Sequence, residues 1–337
     1  MRILILADQR TGHVRQCLGL VRQIERERPV DLVQLPVQPR GFAPDLVRRL
    51  VARWPGLSPK ALLMRFYGLS AEEVSGFDLV IGSGRPTILA GLLISRLTSA
   101  KFAYLGRVPG YDPAAFDLIL VPYRSEGDQL NHAFAPIPSP VNPDGFAPPR
   151  ELRTLETLKD ARLTLLVGGP SSRRNWSMRD WAHLGYFLIA SEHELGINWS
   201  VATSPRTPEA GRGVLAGAFS LLEKGGEFVD FHVAGPGSAD HLLEADAICV
   251  TSDSTSMIAE GLAAMRPVIG IATRGLKVSR DERLLADLAE DGHFADLPLA
   301  SLTPASFART LMQLTTPTTD PRTVLGPLLA GVLPAAD

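Results

Sequence analysis

The chain has 337 residues, 45% of them hydrophobic and 21% charged, and its formal net charge at pH 7 is −2. This length suits two α/β domains of about 150 residues, each with its own hydrophobic core. The near-zero charge provides no basic stripe for a phosphate backbone, so nucleic acid is not an expected partner. The two cysteines, Cys17 and Cys249, lie in apolar runs and are expected to be buried.

The chain begins with a short apolar run, residues 1–7, which ends at Asp8. A signal peptide or a membrane-spanning helix needs a longer run, so this segment is predicted to be the first β-strand. A cytoplasmic location is expected for the protein. Further apolar runs alternate with amphipathic helical patterns, which is typical of βαβ units on a parallel sheet. The predicted strands in this half cover residues 3–6, 32–35, 79–81, 102–105 and 118–121.

A proline-rich segment divides the chain. Residues 134–150 contain six prolines, which exclude a helix and most sheet pairing, so a domain boundary is predicted there. The alternation of strands and helices then resumes, and a helix is predicted to begin near Ser177, where Ser-Met-Arg-Asp resembles a capping box. The predicted strands in this half cover residues 163–167, 199–203, 227–230, 247–251 and 268–271.

The predicted fold class is α/β, with two Rossmann-like doubly wound domains that face a cleft. The first domain is expected to cover residues 1–145 and the second residues 146–310. Residues 311–337 are expected to form a C-terminal tail.

Hydroxyl-rich residues follow the predicted strand 247–251, at the edge of the sheet where open α/β folds bind ligands. The N–H groups of the helix that starts there, with the nearby hydroxyls, predict a cradle for phosphate oxygens. Glu260 lies one helical turn after Ser256 and could accept hydrogen bonds from a ribose diol. The same residues could instead only cap the helix and face solvent. The candidate donor-binding residues here are Ser252, Asp253, Ser254, Ser256 and Glu260.

Two other segments at predicted strand ends carry groups suited to a diphosphate. A Gly-Gly pair opens the second domain and would let the backbone approach a diphosphate, with an arginine beside it. Arg206 follows the next predicted strand and would point into the same crevice. The glycines could equally form a plain turn, and Arg206 could be a surface arginine. The residues of the Gly-Gly segment are Gly168, Gly169, Ser171 and either Arg173 or Arg174.

In the first domain, His13 follows a glycine at the predicted junction between the first strand and a helix. A histidine at this place could act as general base towards an acceptor hydroxyl, or it could cap the helix or belong to the core. The loop 82–88 would face His13 and could bind an acceptor phosphate or simply turn the chain. The candidate residues on this acceptor side are Asp8, Gly12, Gly84 and Arg85.

Five motifs, in one order along the chain, resemble a single family: the "elongated mitochondria" fission proteins of plants and their bacterial relatives, which are described as GT-B glycosyltransferases. The similar segments are Asp-x-x-x-Gly-His-x-x-Gln at 8–16, Gly-Ser-Gly-Arg at 82–85, Gly-Gly-Pro-Ser at 168–171, Thr-Ser-x-Arg-Thr-Pro at 203–208 and Asp-Ser-x-Ser-Met-x-x-Glu at 253–260. One departure is Arg266, which stands where relatives usually carry Gly before Pro.

The resemblance implies GT-B architecture and transfer of a sugar from a nucleotide-sugar, held by the second domain, to an acceptor held by the first. It implies phosphate contacts from the serines after residue 251, a ribose contact from Glu260 and a candidate catalytic base in His13. No Asp-x-Asp sequence stands at a predicted strand end, so neither a metal nor a separate cofactor is expected. Two alternatives to a glycosyltransferase stay open. One is a nucleotide-sugar 2-epimerase, which shares this architecture. The other is a non-catalytic scaffold or adaptor, which fits the family's link with organelle fission.

The stretch 40–69 is basic and amphipathic, and Asp45 is its single acidic residue. Basic amphipathic helices of this composition bind anionic membrane surfaces. The stretch therefore predicts peripheral membrane contact, on the inner face, that brings a lipid-linked or glycan acceptor to the crevice. The alternative is a helix that packs on the core with its arginines in solvent.

Overall fold

The computed structural model describes residues 1–41, 44–54, 56–171, 174–274 and 280–333. The chain forms two compact units. The first consists of Met1–Pro140 together with Pro321–Asp337, and the second of Val141–Asp320. The boundary between the units therefore lies at residues 140 and 141, and the chain returns to the first unit at its end.

The first unit is a parallel sheet with helices on both faces. Its strands are β1 (Arg2–Ala7), β2 (Asp31–Pro36), β3 (Leu79–Ser83), β4 (Lys101–Leu105), β5 (Leu118–Val121) and β6 (His132–Phe134). Its helices before the boundary are α1 (Thr11–Glu25), α2 (Asp45–Ala52), α3 (Pro59–Tyr67) and α4 (Arg85–Thr98). The strand order in the sheet is β2-β1-β3-β4-β5-β6.

The second unit repeats this plan. Its strands are β7 (Arg162–Leu166), β8 (Asn198–Ala202), β9 (Phe228–Val229), β10 (Ala247–Thr251), β11 (Val268–Ala272) and β12 (Phe294–Pro298). Its helices are α5 (Leu155–Leu158), α6 (Met178–Leu195), α7 (Glu209–Phe219), α8 (Phe231–Ala234), α9 (Thr255–Ala263), α10 (Arg280–Glu290) and α11 (Pro304–Gln313). The strand order is β12-β11-β10-β7-β8-β9, and all neighbouring strands pair in parallel.

The apolar runs form strands because both of their faces are covered. In β1, Leu4 and Leu6 pack with residues of α4, whereas Ile3 and Ile5 pack with residues of α1. Strands buried on both faces read as continuous apolar runs, and this explains why the sequence predicted the inner strands β1, β3 to β5, β7, β8, β10 and β11. The edge strands β2 and β9 were predicted as well. The fold class predicted from the sequence, α/β with doubly wound parallel sheets, is confirmed.

Strands β6 and β12 were not predicted. Both lie at an edge of their sheets, where β6 pairs only with β5 and β12 only with β11 among the described strands. In β6, which has three residues, none is buried, and in β12 only the first residue is buried, so neither sequence forms a continuous apolar run. His132 begins β6, and β12 contains Asp296 and ends at Pro298.

The core of the second unit contains a cluster of aromatic rings between the sheet and helices α6 and α11. Trp199 on β8 and Phe307 on α11 each lie within 6 Å of Phe187 on α6, with ring centroids 5.9 and 5.1 Å away. The predicted capping box of α6 is confirmed: Ser177 Oγ accepts the N–H of Asp180 at 3.2 Å, and the Asp180 carboxylate accepts the Ser177 N–H at 2.8 Å.

The C-terminal residues complete the first unit. Helix α12 (Leu325–Leu329) contacts α1, and Leu325, Leu329 and Val332 are buried in the core beneath α1. The predicted tail 311–337 is thus divided: α11 ends at Gln313 within the second unit, whereas α12 belongs to the first.

Arg266 fixes the start of the second unit. Its side chain is 2% exposed, and Nη2 donates to the carbonyl oxygen of Ala147 at 2.6 Å, with the guanidinium 5.8 Å from the centre of the Phe146 ring. Desolvation lowers the pKa of this guanidinium. Arg266 therefore ties the proline-rich segment to the sheet, which gives a structural reason for the departure from glycine at this position.

Both cysteines are buried as predicted, and burial raises the pKa of each thiol. Within the described residues, no helix combines the length and apolar character that crossing a membrane requires.

Candidate functional site

Three loops at the carboxyl edge of the second sheet carry most of the residues predicted to bind the donor. They follow β7, β8 and β10, and β7 lies between the other two strands in the sheet. Because parallel strands end at the same edge, these loops are neighbours, and they exchange hydrogen bonds. The structure brings together Gly168, Gly169, Arg206 and Asp253.

Both glycine amides of the loop after β7 are bonded to side chains. Gly168 N–H donates to Thr251 Oγ1 at 2.7 Å, and Gly169 N–H donates to Asp253 Oδ2 at 3.0 Å. A Cβ at Gly168 would lie 2.1 Å from Asp253 Oδ2, and one at Gly169 would lie 2.1 Å from the Arg206 carbonyl oxygen. The glycines therefore allow the loops to pack closely, and their N–H groups are engaged in these internal bonds.

The loop after β8 is fixed by two buried hydroxyls. Ser204 Oγ donates to the carbonyl oxygen of Gly168 at 3.2 Å. Thr207 Oγ1 lies 2.6 Å from the same oxygen and 3.0 Å from the carbonyl oxygen of Val167. These bonds hold Arg206, which lies between the two hydroxyl residues, beside the Gly-Gly loop.

Arg206 and Asp253 form an ion pair in which the acid is buried and the base is accessible. Arg206 Nη2 lies 2.8 Å from Asp253 Oδ2, and the exposed side-chain fractions are 39% for the arginine and 1% for the aspartate. Arg206 Nη1 also donates to the carbonyl oxygen of Gly169 at 3.2 Å. Asp253 Oδ1 is buried and has no hydrogen-bond partner in the described part of the chain.

Helix α9 begins as the sequence predicted, with Ser254 at its N-cap position. The Ser254 side chain does not cap the helix, and its Oγ lies 3.3 Å from Ser256 Oγ. Helical spacing puts Ser256 and Glu260 on one face, because residues four apart are neighbours on a helix surface. Ser256 and Glu260 are both half-buried, so the first turns of α9 carry hydroxyls and a carboxylate on one side.

Ser252 is placed differently from its neighbours. It is 4% exposed, and its hydroxyl donates to the Asp296 carboxylate on β12. Gly270, on the strand between them, makes room, since a Cβ there would lie 2.5 Å from Asp296 Oδ1. Burial of the carboxyl among surrounding atoms raises the pKa of Asp296, and the Ser252 hydrogen bond and the charge of Arg174 partly offset that increase. In this arrangement the Ser252 hydroxyl is therefore engaged in a hydrogen bond within the protein.

Ser171 and Arg174 close the loop after β7. The Arg174 N–H donates to Ser171 Oγ at 3.1 Å, and the Arg174 guanidinium donates to the carbonyl oxygen of Thr273 after β11. The other arginine considered for this loop, Arg173, lies outside the described residues.

In the first unit, the structure pairs His13 with Asp8. His13 Nδ1 lies 2.7 Å from Asp8 Oδ2, and the exposed side-chain fractions are 25% for the histidine and 5% for the aspartate. A carboxylate only accepts hydrogen bonds, so this contact places the proton of a neutral imidazole on Nδ1 and leaves Nε2 as the basic nitrogen. The second Asp8 oxygen accepts the N–H of Arg10 at 3.0 Å, which fixes the carboxylate.

The loop after β3 packs against this pair. Gly84 has a φ of +87°, and a Cβ at this position would lie 2.2 Å from Asp8 Oδ2 and 2.6 Å from His13 Nδ1. Only glycine combines this conformation with such a close approach. Arg85 follows as the first residue of α4 and is exposed, and Gly12 lies in the first turn of α1. The acceptor-side candidates of the first unit therefore lie at the carboxyl ends of two neighbouring strands, β1 and β3.

Within the described residues, no cluster of three or more His, Cys, Asp and Glu side chains could hold a metal ion.

Several residues of the site were not assigned a role from the sequence. Each of them forms a hydrogen bond with a residue of another loop. Thr251, at the end of a predicted strand, gave only a weak sequence signal of a role in the site. Asp296, inside an edge strand that was not predicted, gave no such signal. The unpredicted contributors are Thr251, Ser204, Thr207 and Asp296.

The fold is that of the GT-B class, in which two parallel α/β units each present their strand ends to ligands. Similar solved structures include S. aureus MnaA with UDP (11% identity, 95% of this chain and 93% of that chain covered, TM-score 0.54). The UDP-GlcNAc 2-epimerase of Methanocaldococcus jannaschii is also similar (12% identity, 98% and 99% covered, TM-score 0.53). A third is the glycotransferase of kitacinnamycin (11% identity, 98% and 94% covered, TM-score 0.50).

The family model described as mitochondrial fission ELM1 matches residues 11–315, which is most of the chain. The protein belongs to this family, as the five sequence motifs predicted. No curated protein sequence matches the chain.

Proposed function

We propose that the protein is a metal-independent glycosyltransferase that moves a sugar from a nucleotide-sugar to an acceptor hydroxyl. The second unit binds the donor, and the first unit supplies the base. The observation that carries this proposal is the Asp8–His13 pair at the strand ends of the first unit. An imidazole whose tautomer is fixed by a carboxylate, with Nε2 as the basic nitrogen, is suited to accept the proton of an attacking hydroxyl.

A nucleotide-sugar as donor is supported by the fold and by the groups on the second unit. Similar structures include one with UDP and one with UDP-GlcNAc and UDP. The accessible guanidinium of Arg206 and the N-terminal turn of α9 suit phosphate oxygens, and Glu260 stands one turn behind Ser256 for a ribose diol. In this scheme the donor charge is neutralised by an arginine and helix N–H groups, without a metal.

A nucleotide-sugar 2-epimerase is the second candidate, because the M. jannaschii 2-epimerase matches almost the whole chain with a TM-score of 0.53. The two activities differ in what they consume. A transferase needs an acceptor hydroxyl, whereas an epimerase changes the nucleotide-sugar alone.

Product analysis with and without acceptor separates the candidates. A thermal-shift panel of UDP, GDP, CMP and ADP sugars first identifies the donor, because a ligand that binds only the native state raises the melting temperature. The donor is then incubated with the protein, with and without lipid-linked and glycan acceptors. We expect release of the nucleoside diphosphate or monophosphate only with acceptor. An epimerised nucleotide-sugar without acceptor would replace the proposal by the second candidate, and binding without any turnover would indicate a scaffold.

We further propose that the acceptor is lipid-linked and that α2 and α3 bind the cytoplasmic face of an anionic membrane. Leu46, Leu50 and Trp54 follow one another at intervals of four and are 66%, 53% and 69% exposed. The two arginines between them turn the other way, since Arg48 and Arg49 both pair with Asp45. The α2 surface is therefore apolar where a helix of a globular protein is usually polar.

The residues that follow α2 in the sequence also include exposed apolar and basic side chains. Leu57 and Met64 are 39% and 52% exposed, and the exposed basic side chains nearby are Arg53, Lys60 and Arg65. Apolar side chains that enter the interface together with basic residues that meet anionic headgroups are the features of a monotopic membrane contact.

Vesicle flotation tests this contact. We expect the protein to float with vesicles that contain phosphatidylserine at low salt and to be released at high salt. Replacing both Leu50 and Trp54 by serine should abolish flotation, whereas the control Tyr186→Ser, at another exposed aromatic residue, should not. Equal flotation of the wild type and the double variant would contradict the proposal.

A further inference from the structure

We propose that Asp253 is the residue that positions Arg206 for the phosphate groups of the donor. This inference rests on the proposed function, and it changes the role expected of the Gly-Gly loop. The loop amides are already bonded, Gly168 to Thr251 and Gly169 to Asp253, so in this arrangement the backbone does not offer them to an anion. Among the described residues of these loops, Arg206 carries a guanidinium that remains accessible, with 39% of its side chain exposed.

The contacts hold this guanidinium at two of its nitrogens. Nη2 is 2.8 Å from Asp253 Oδ2 and 3.5 Å from the Asp253 carbonyl oxygen, and Nη1 is 3.2 Å from the Gly169 carbonyl oxygen. A guanidinium has more N–H donors than these contacts use, and 39% of the side chain is exposed. One edge of the group is therefore fixed by the protein, and the rest can bind a phosphate.

The surroundings of Asp253 hold its carboxylate in place, so the carboxylate can in turn position Arg206. Its side chain is 1% exposed, its Oδ2 accepts the Gly169 N–H, and Gly168 packs against the same oxygen with no space for a Cβ. An arginine held in place before the ligand arrives does not have to be ordered on binding, and this improves affinity. The single carboxylate thus joins the loops after β7, β8 and β10 around one cation.

Asp253 also has an opposing effect, because its negative charge weakens the attraction of the site for an anion. Positioning of Arg206 by Asp253 strengthens anion binding, whereas repulsion by the Asp253 carboxylate weakens it. A variant without the carboxylate charge therefore distinguishes the two effects. If Asp253 mainly positions Arg206, then Asp253→Asn weakens anion binding although it removes a negative charge. If the carboxylate mainly repels the anion, then the same variant binds more tightly.

The test uses inorganic pyrophosphate and UDP, titrated calorimetrically into the full-length protein. We expect Asp253→Asn to bind both about tenfold more weakly, which corresponds to the loss of one charge-assisted hydrogen bond. The matched control is Asp246→Asn, another buried aspartate, which bonds the N–H groups of Arg150 and Arg162 before β10 begins. The control should keep the wild-type affinity. Unchanged or tighter binding by Asp253→Asn would overturn the inference.

A double variant separates positioning from mere loop stability. In an Arg206→Ala background, Asp253→Asn should cause no further loss, because its effect passes through Arg206. An additional loss of similar size would show that Asp253 only holds the loop, and would also overturn the inference. If Asp253→Asn does not fold, Arg206→Lys replaces it. We expect that variant to bind about tenfold more weakly too, since an ammonium cannot make the same fork of contacts, and unchanged binding would overturn the inference.

These outcomes are independent of catalysis. Pyrophosphate binding that depends on Arg206 and Asp253 would support the inference even if no nucleotide-sugar is turned over, in which case only the proposed function would fail. A wild-type protein that binds neither pyrophosphate nor UDP would contradict the inference.

Discussion

His13 and Asp8 illustrate how much of the site depends on which residues meet. The sequence identified both residues as candidates but assigned only His13 to catalysis, and their 2.7 Å contact became evident only in the structure. Likewise, Arg206 and Asp253 are 47 positions apart, and no local pattern predicts their ion pair. Candidate residues at strand ends follow from the topology of a parallel sheet, whereas their partners depend on loop conformation, which short polar segments do not specify.

The first prediction concerns the base. We expect His13→Ala to lower turnover by about a hundredfold or more, because the acceptor proton loses its recipient, while the affinity for the donor stays unchanged. Asp8→Asn should have a smaller effect on turnover, since an amide can still bond Nδ1 but no longer fixes the tautomer. Steady-state kinetics and donor titration measure both.

The control for this prediction is His132→Ala, a histidine on β6 whose Nδ1 faces the carbonyl oxygen of Leu130. It should keep the wild-type turnover. If His13→Ala weakened donor binding and spared turnover, His13 would have a structural role and another residue would have to be the base.

Asp296 permits a prediction of pH dependence. Its pKa is raised, mainly by burial, so the folded protein favours the protonated carboxyl. This contribution to stability is present below the ordinary pKa of an aspartate and is lost as the pH rises through the raised value. We therefore expect Asp296→Asn to be stabilised relative to the wild type at pH 7, with the difference becoming smaller towards pH 3.

Urea unfolding at a series of pH values measures this difference. Asparagine can still accept the Ser252 hydrogen bond, so the comparison isolates the charge. A stability difference that is independent of pH would contradict the prediction.

At the scale of elements, the sequence predicted what is buried better than what is exposed. The capping box of α6 and the strands covered on both faces were predicted because side-chain chemistry and apolar runs determine them locally. The stretch 40–69 was predicted as one basic amphipathic region. Its described residues form two short helices, α2 and α3, and the α2 arginines bond Asp45 while leucines face outwards. Periodicity gives the faces of a helix but does not tell which face is turned to the core.

Helix α12 carries the prediction at this scale. Leu325 and Leu329 are each 1% exposed and pack in the core with α1, so each Leu→Ala substitution should lower the free energy of unfolding of the first unit by ~2–4 kcal/mol. Val324→Ala is the control, because Val324 is 46% exposed. Hydrogen exchange of the α1 amides reports the local effect: faster exchange in α1 but not in α6 is expected, and unchanged α1 exchange would contradict the packing.

At the scale of the whole molecule, the fold followed from the sequence more directly than the chemistry did. Two successive βαβ patterns separated by prolines were sufficient to predict two doubly wound units, and the family match over 11–315 agrees with the motifs. The return of the chain to the first unit was not predicted, because the residues of α12 contact α1 only across some 300 positions of sequence. The donor and acceptor depend on groups that a fold shared at 11–12% identity does not specify.

The central claim is that the second unit binds a nucleotide-sugar at α9, with Glu260 on the ribose. Calorimetric titration of the wild type and of Glu260→Ala with the best nucleotide-sugar of the panel tests it most directly, with Glu194→Ala at the exposed end of α6 as the control. Loss of two charge-assisted hydrogen bonds, each contributing about 1.5–3 kcal/mol, should weaken binding by about tenfold to several hundredfold in Glu260→Ala alone. Equal affinities of Glu260→Ala and the wild type would contradict the account and place the donor away from this helix.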